Sequence, residues 1–124
     1  MAEKISRLSV VINIEVEKGS TFRHTLVWTY AEEPYIPIDL TGCTALMQVR
    51  PDQDSDEILH EMTTENDGLV LGGTTGSIDM YISATDSTAW EWNDGVYSLE
   101  ITFPNTDVRR LARGVFISFN ETTR

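Results

Sequence analysis

The chain has 124 residues and a mass of 14.0 kDa, with 40% hydrophobic and 23% charged residues. That length indicates one domain, residues 1–124, with a core large enough to stand without metal or disulfide staples. A single cysteine, Cys43, excludes an internal disulfide and a multi-cysteine zinc site.

No apolar run approaches the roughly 20 residues needed to span a bilayer as a helix. The opening MAEKISRLSVV has no apolar h-region or small-residue cleavage site, so no signal peptide is expected. Twenty acidic against nine basic groups give a net charge of −11. Residues 1–50 carry five basic and six acidic groups. Residues 51–100 carry twelve acidic groups and no Lys or Arg, and residues 101–124 carry four Arg and two acidic groups. Such a surface repels phosphate backbones and anionic lipid, so neither nucleic acid nor membrane is expected as a partner. The segregation has two readings. One is a solvated acidic surface. The other is an acidic face and an Arg-bearing edge that pair head-to-tail between copies.

Period-2 alternation dominates the chain. Leu8, Val10, Ile12, Ile14 and Val16 line one face of a first strand. Lys18-Gly19-Ser20 is a turn. Phe22, His24, Leu26, Trp28 and Tyr30 share a face of the second strand. Pro34 and Pro37 make 31–42 a connection, since proline cannot donate to a ladder. Thr44 to Arg50 is a third strand ended by Pro51. Residues 52–56 are an exposed acidic loop, and Ile58 to Thr64 a short strand. Turns at 66–68 and 72–76 enclose the apolar piece Leu69-Val70-Leu71. A strand with Ile78, Met80 and Ile82 on one side follows. Residues 83–90 suit one helical turn, with Ser83 as N-cap and Asp86 at its third position. Asn93-Asp94-Gly95 turns into a strand over Val96–Phe103, and Val108–Phe119 forms the last strand, with Gly114 as a bulge. Residues 1–6 and 120–124 are expected to be tails.

Seven to eight strands with at most one short helical turn argue for an all-β fold, either a two-sheet sandwich or a small barrel. The sandwich is preferred, because 31–42 and 83–94 have the character of links between sheets.

Chemistry-bearing constellations are sparse. Asp52, Asp54 and Asp56 match the first three ligand positions of a calcium loop. Glu57 then stands where the sharp turn needs glycine, and Thr63 where the bidentate glutamate belongs, so the match is weak. His24 reads as a structural histidine on an apolar strand face, and His60 as a group whose charged form nearby carboxylates favour, with a weak pH response. Cys43 reads as an inert, buried thiol. No G-x-S-x-G elbow and no phosphate loop occur. Trp90 and Trp92 flank Glu91. They either plug the end of the sandwich or offer a stacking platform for sugar or an anchor for a protein partner. No nucleophile, base and orienter can be assembled, so neither an enzyme nor a cofactor is expected.

The ordered motifs GSTFR at 19–23, LVW at 26–28, IDLTG at 38–42, MQVRP at 47–51, TENDGL at 64–69, LGGTTG at 71–76 and GVYSLEI at 95–101, with Arg109-Arg110-Leu111, Gly114 and the terminal ETTR, resemble a family of small tailed-phage virion proteins. The chain is similar, over residues 8–124, to the immunoglobulin-like N-terminal domain of siphophage baseplate upper proteins and to stand-alone tail-tip collar proteins. The resemblance implies an immunoglobulin-like β-sandwich with no catalytic residues. It implies a structural place in the virion tail or baseplate, with tail-tube or baseplate-hub proteins and copies of itself in a ring as partners. No fibre-binding C-terminal extension like that of the baseplate upper proteins is expected. Arg109, Arg110 and Arg113 are expected to meet acidic groups of a neighbouring subunit. The competing expectations are a capsid decoration or head–tail accessory protein, and a carbohydrate-binding module using Trp90, Trp92 or Tyr97.

Overall fold

The computed structural model describes residues 3–120. Ten strands form two sheets: β1 (Glu3–Ile5), β2 (Val10–Val11), β3 (Ile14–Glu17), β4 (Phe22–Trp28), β5 (Thr44–Arg50), β6 (His60–Thr63), β7 (Leu69–Leu71), β8 (Ser77–Ile82), β9 (Asp94–Thr102) and β10 (Val108–Phe119). The one α-helix among the described residues, α1, spans Ala84–Thr88, and a 3-10 turn covers Gly73–Thr75. The smaller sheet has the order β1-β4-β8-β7. The larger runs β2-β10-β9-β5-β6, with β3 also paired to β10. This is a β-sandwich. Its strand order is that of the A-B-E-D and G-F-C-C′ layers of the immunoglobulin arrangement. The first strand departs from that scheme by running parallel to β4.

Alternation places the core between the sheets. Leu26 and Trp28 of β4 and Ile78, Met80 and Ile82 of β8 point inward from the smaller sheet. Met47, Val49, Leu99, Ile101, Leu111 and Phe116 meet them from the larger one. The links at 29–43 and 83–93 each carry the chain from one sheet to the other, as expected. Ser83 caps α1 by accepting from the Asp86 N–H at 3.0 Å.

The structure differs from the sequence reading at the amino-terminal end. The expected tail 1–6 contains a strand, since Glu3–Ile5 pairs in parallel with Leu26–Trp28. The expected strand 8–16 is broken into β2 and β3, both parallel to β10. The break arises at Ile12, whose carbonyl accepts from the Tyr97 hydroxyl, while the Asn13 side-chain oxygen accepts the Val115 N–H that a continuous strand would have paired. These two changes raise the strand number above the seven or eight expected. Of the expected tail 120–124, residues 121–124 lie outside the described residues.

The bulge also moves. The register of β10 against β9 shifts between Arg110 and Ala112, so the extra residue is Leu111, not Gly114. Gly114 has another role. A side chain there would stand 2.3 Å from the Ile12 carbonyl oxygen, so only glycine lets the 12–13 crossing lie against β10.

Candidate functional site

The bulge decides which arginines share a surface. Residues alternate faces along a strand, so an extra residue at Leu111 reverses the alternation beyond it. Arg110 lies opposite Glu100 and Arg113 opposite Ser98, both on the outer face of the larger sheet. Arg109 lies opposite Ile101, whose side chain points to the core, so it belongs to the other face of the strand. Arg109 stays exposed at the sheet end, 3.6 Å from Asp107, and donates to the Val108 carbonyl at 3.2 Å. The expected trio is therefore split.

A third guanidinium replaces it. Arg50 reaches the same outer face from β5, donating to the Ser55 carbonyl and to the Gln48 side-chain oxygen, each at 2.8 Å. Arg50, Arg110 and Arg113 line an open depression of ≈ 590 Å³ together with Gln48, Ser98 and Val115. Arg110 is paired with Glu100 at 2.8 Å, whereas Arg113 is exposed and makes no ion pair with a described residue. The signal for Arg50 was its period-2 spacing from Gln48 at the end of a strand. Its neighbours on the face come from strands distant in sequence.

The carboxylates do not form a single opposing face. Asp52, Asp54, Asp56 and Glu57 sit on the β5–β6 loop and Glu61 on β6, while Asp79 lies on the outside of the smaller sheet, where it accepts from the Thr25 hydroxyl at 2.7 Å. The Asp52 side chain accepts the Asp54 N–H at 3.0 Å and so closes its own loop. Among the described residues no three His, Cys, Asp or Glu side chains gather as a metal-ligand group.

The indoles of Trp90 and Trp92 lie against each other, centroids 4.6 Å apart and planes 30° apart. Both are half-buried and pack on Phe116, at 5.9 and 5.7 Å, and the His60 ring meets Trp90 edge-on at 5.0 Å. The pair closes the end of the core and does not present a flat stacking platform. Burial holds the His60 pKa below its ordinary value, and the Asp86 carboxylate opposes this more weakly. His24 is half-buried beside Phe22, with ring centroids 6.4 Å apart. Cys43 packs partly buried against the core, and that desolvation, with the Asp39 charge, raises its thiol pKa.

No family model matches the sequence, and no curated protein sequence matches it. Among solved structures, the chain is similar to the N-terminal domain of phage TP901-1 ORF48, with 8% identity, a TM-score of 0.49, and coverage of 95% of this chain and 98% of that one. It is also similar to the extracellular domains 3–5 of Drosophila OTK, with 16% identity, a TM-score of 0.37, and coverage of 92% of this chain and 35% of that one. These likenesses concern the path of the backbone and carry no argument about activity or partners.

Proposed function

We propose that this chain is a structural, non-enzymatic component of a tailed-phage virion, seated at the tail tip or baseplate. There it packs against tail-tube or baseplate-hub proteins and against copies of itself in a collar or ring. The ordered motifs from 19–23 to 95–101 support the phage assignment. The observation that carries the docking role is the outer face of the larger sheet, where Arg50, Arg110 and Arg113 surround one depression on a chain of net charge −11. A heterologous contact joins two different surfaces of one molecule, and an arginine-rimmed depression on a chain this acidic is suited to be one of them. Exposed ion pairs contribute about 0–1 kcal/mol each, so the arginines set register and encounter rate, and apolar contacts must hold the assembly.

The test is incorporation into particles. R110E/R113E should be lost from purified virions while its isolated fold, followed by circular dichroism, is retained. R109E, changed on the other side of the strand, should be incorporated as wild type. Normal incorporation of R110E/R113E contradicts the proposal.

A further inference from the structure

The link between β4 and β5 contains a second surface of opposite character. Thr29 bridges Pro37, the Tyr30 N–H donates to the Ile36 carbonyl at 2.9 Å, and the Tyr35 N–H donates to the Glu32 carbonyl at 2.8 Å. Residues 30–36 thus close into a compact tip at the end of the sandwich. Tyr30, Tyr35 and Ile36 are 60%, 45% and 56% exposed, with the exposed Glu32 and Glu33 between them. Tyr35 has φ +58°, a left-handed conformation uncommon for a bulky residue. Three large apolar side chains gathered on seven residues are the kind of patch that marks an interaction site. Tyrosine is enriched at the centre of interfaces. A tip closed by its own hydrogen bonds loses little further freedom on docking.

The arginine-rimmed depression has the matching composition. Val96 and Val115 contribute apolar surface, and Arg110 and Arg113 stand beside them. We infer that the 30–36 tip of one copy docks in this depression of a second copy, with Tyr35 and Ile36 against Val96 and Val115, and Glu32 and Glu33 beside Arg110 and Arg113. The inference rests on the reading that copies of this chain assemble with one another, and supplies the apolar contact which that reading requires. The acidic loop 52–57 is the weaker occupant, because it carries four carboxylates and no large apolar side chain. The tip lies at an end of the sandwich and the depression on a sheet face, so the contact is heterologous and forms a ring where its rotation closes.

The experiment uses two complementary variants of the whole chain, E32R/E33R and R110E/R113E, each checked for fold by circular dichroism. Association is measured by sedimentation velocity. Each variant alone carries like charges on tip and depression and should sediment as a monomer under conditions where wild type associates. Mixed together, the two should associate again, because each tip then faces an opposite charge. If R110E/R113E loses its fold, R113E, which breaks no ion pair with a described residue, takes its place. The uncharged variant Y35A/I36A should weaken wild-type association by roughly tenfold or more.

Self-association of each variant at wild-type strength overturns this contact while leaving assembly between copies intact. So does a mixture that stays monomeric. Loss of association in D52N/D54N/D56N and in R110E/R113E, with E32R/E33R unaffected, overturns it in favour of the acidic loop. A wild-type chain monomeric up to millimolar concentration overturns it too, and the virion reading then stands or falls on the presence of the chain in particles.

Discussion

The hydroxyl of Tyr97 donates a 2.6 Å hydrogen bond to the carbonyl of Ile12, reaching across Gly114, its register partner on β10. Three strands meet there, and each residue explains the others. Tyr97 points inward from β9 and is almost fully buried. Gly114 offers no side chain to block it. Ile12 turns its carbonyl to the phenol, which interrupts the amino-terminal strand and splits it into β2 and β3. The arginine-bearing strand β10 is thus held from both sides, by β9 and by the 10–17 segment.

Removing the phenol oxygen tests this bond. Tyr97→Phe keeps the ring against Phe116 and leaves the Ile12 carbonyl without the phenol as its donor. The expected loss of stability is about 1–3 kcal/mol, read from the urea midpoint at unchanged slope. A midpoint equal to wild type would show that the bond contributes nothing net.

Gly114→Ala tests the close approach. The added methyl would meet backbone atoms of Ile12, which cannot rotate away as a side-chain end can. Destabilisation of about 1–3 kcal/mol is expected, with earlier hydrogen exchange of the Ile12 N–H, which is bonded to the Arg113 carbonyl. Wild-type stability would mean that the 12–13 crossing yields without cost.

Ser87 of α1 is fully buried, and its hydroxyl oxygen accepts the Gly19 N–H at 3.0 Å. Ser87→Ala strands that donor and loosens the turn between β3 and β4 from the helix. A loss of about 1–3 kcal/mol is expected, with increased proteolytic nicking near Gly19. Ser83→Ala removes only the cap of a one-turn helix and should cost about 1 kcal/mol.

His60 gives the fold a pH dependence of known sign. Burial lowers its folded-state pKa below the ordinary 6.5, so the folded protein prefers the neutral ring. Its contribution to stability is fully present above 6.5 and is lost as pH falls through the folded-state value. The edge-on contact with Trp90 makes the same titration visible in indole fluorescence. Unfolding midpoints of wild type should fall as pH drops below 6.5, by more than those of His60→Phe over the same interval. Parallel curves for the two proteins would remove His60 from the account.

Much of this fold was legible in the alternation of apolar residues. Thr44–Arg50, Ser77–Ile82 and the bodies of β4, β9 and β10 follow from patterns that span a whole strand and leave one face to be buried. The Ser83 cap is legible because capping is settled within four consecutive residues, Ser83 to Asp86. What escaped depends on partners far away in the chain. Glu3–Ile5 is a strand only because β4 lies beside it. The break at Ile12 is made by Tyr97, and the bulge at Leu111 by the register against β9. That bulge is also why the arginine surface could be foreseen only in part: it keeps Arg110 and Arg113 together and leaves Arg109 on the other side, while Arg50 joins them from β5, sixty residues earlier in the chain. Likewise, an extrapolated strand face includes Tyr30 with Trp28, whereas β4 ends at Trp28 and Tyr30 stands exposed on the 30–36 tip.

The proposed function gives this chain a place in the virion. The measurement that tests it most directly is imaging of purified phage particles in which this chain carries a small electron-dense or antibody-recognised tag at its amino terminus. Label encircling the tail tip or baseplate is expected. Label on the capsid or at the head–tail junction, or particles that contain none of the chain, would contradict it.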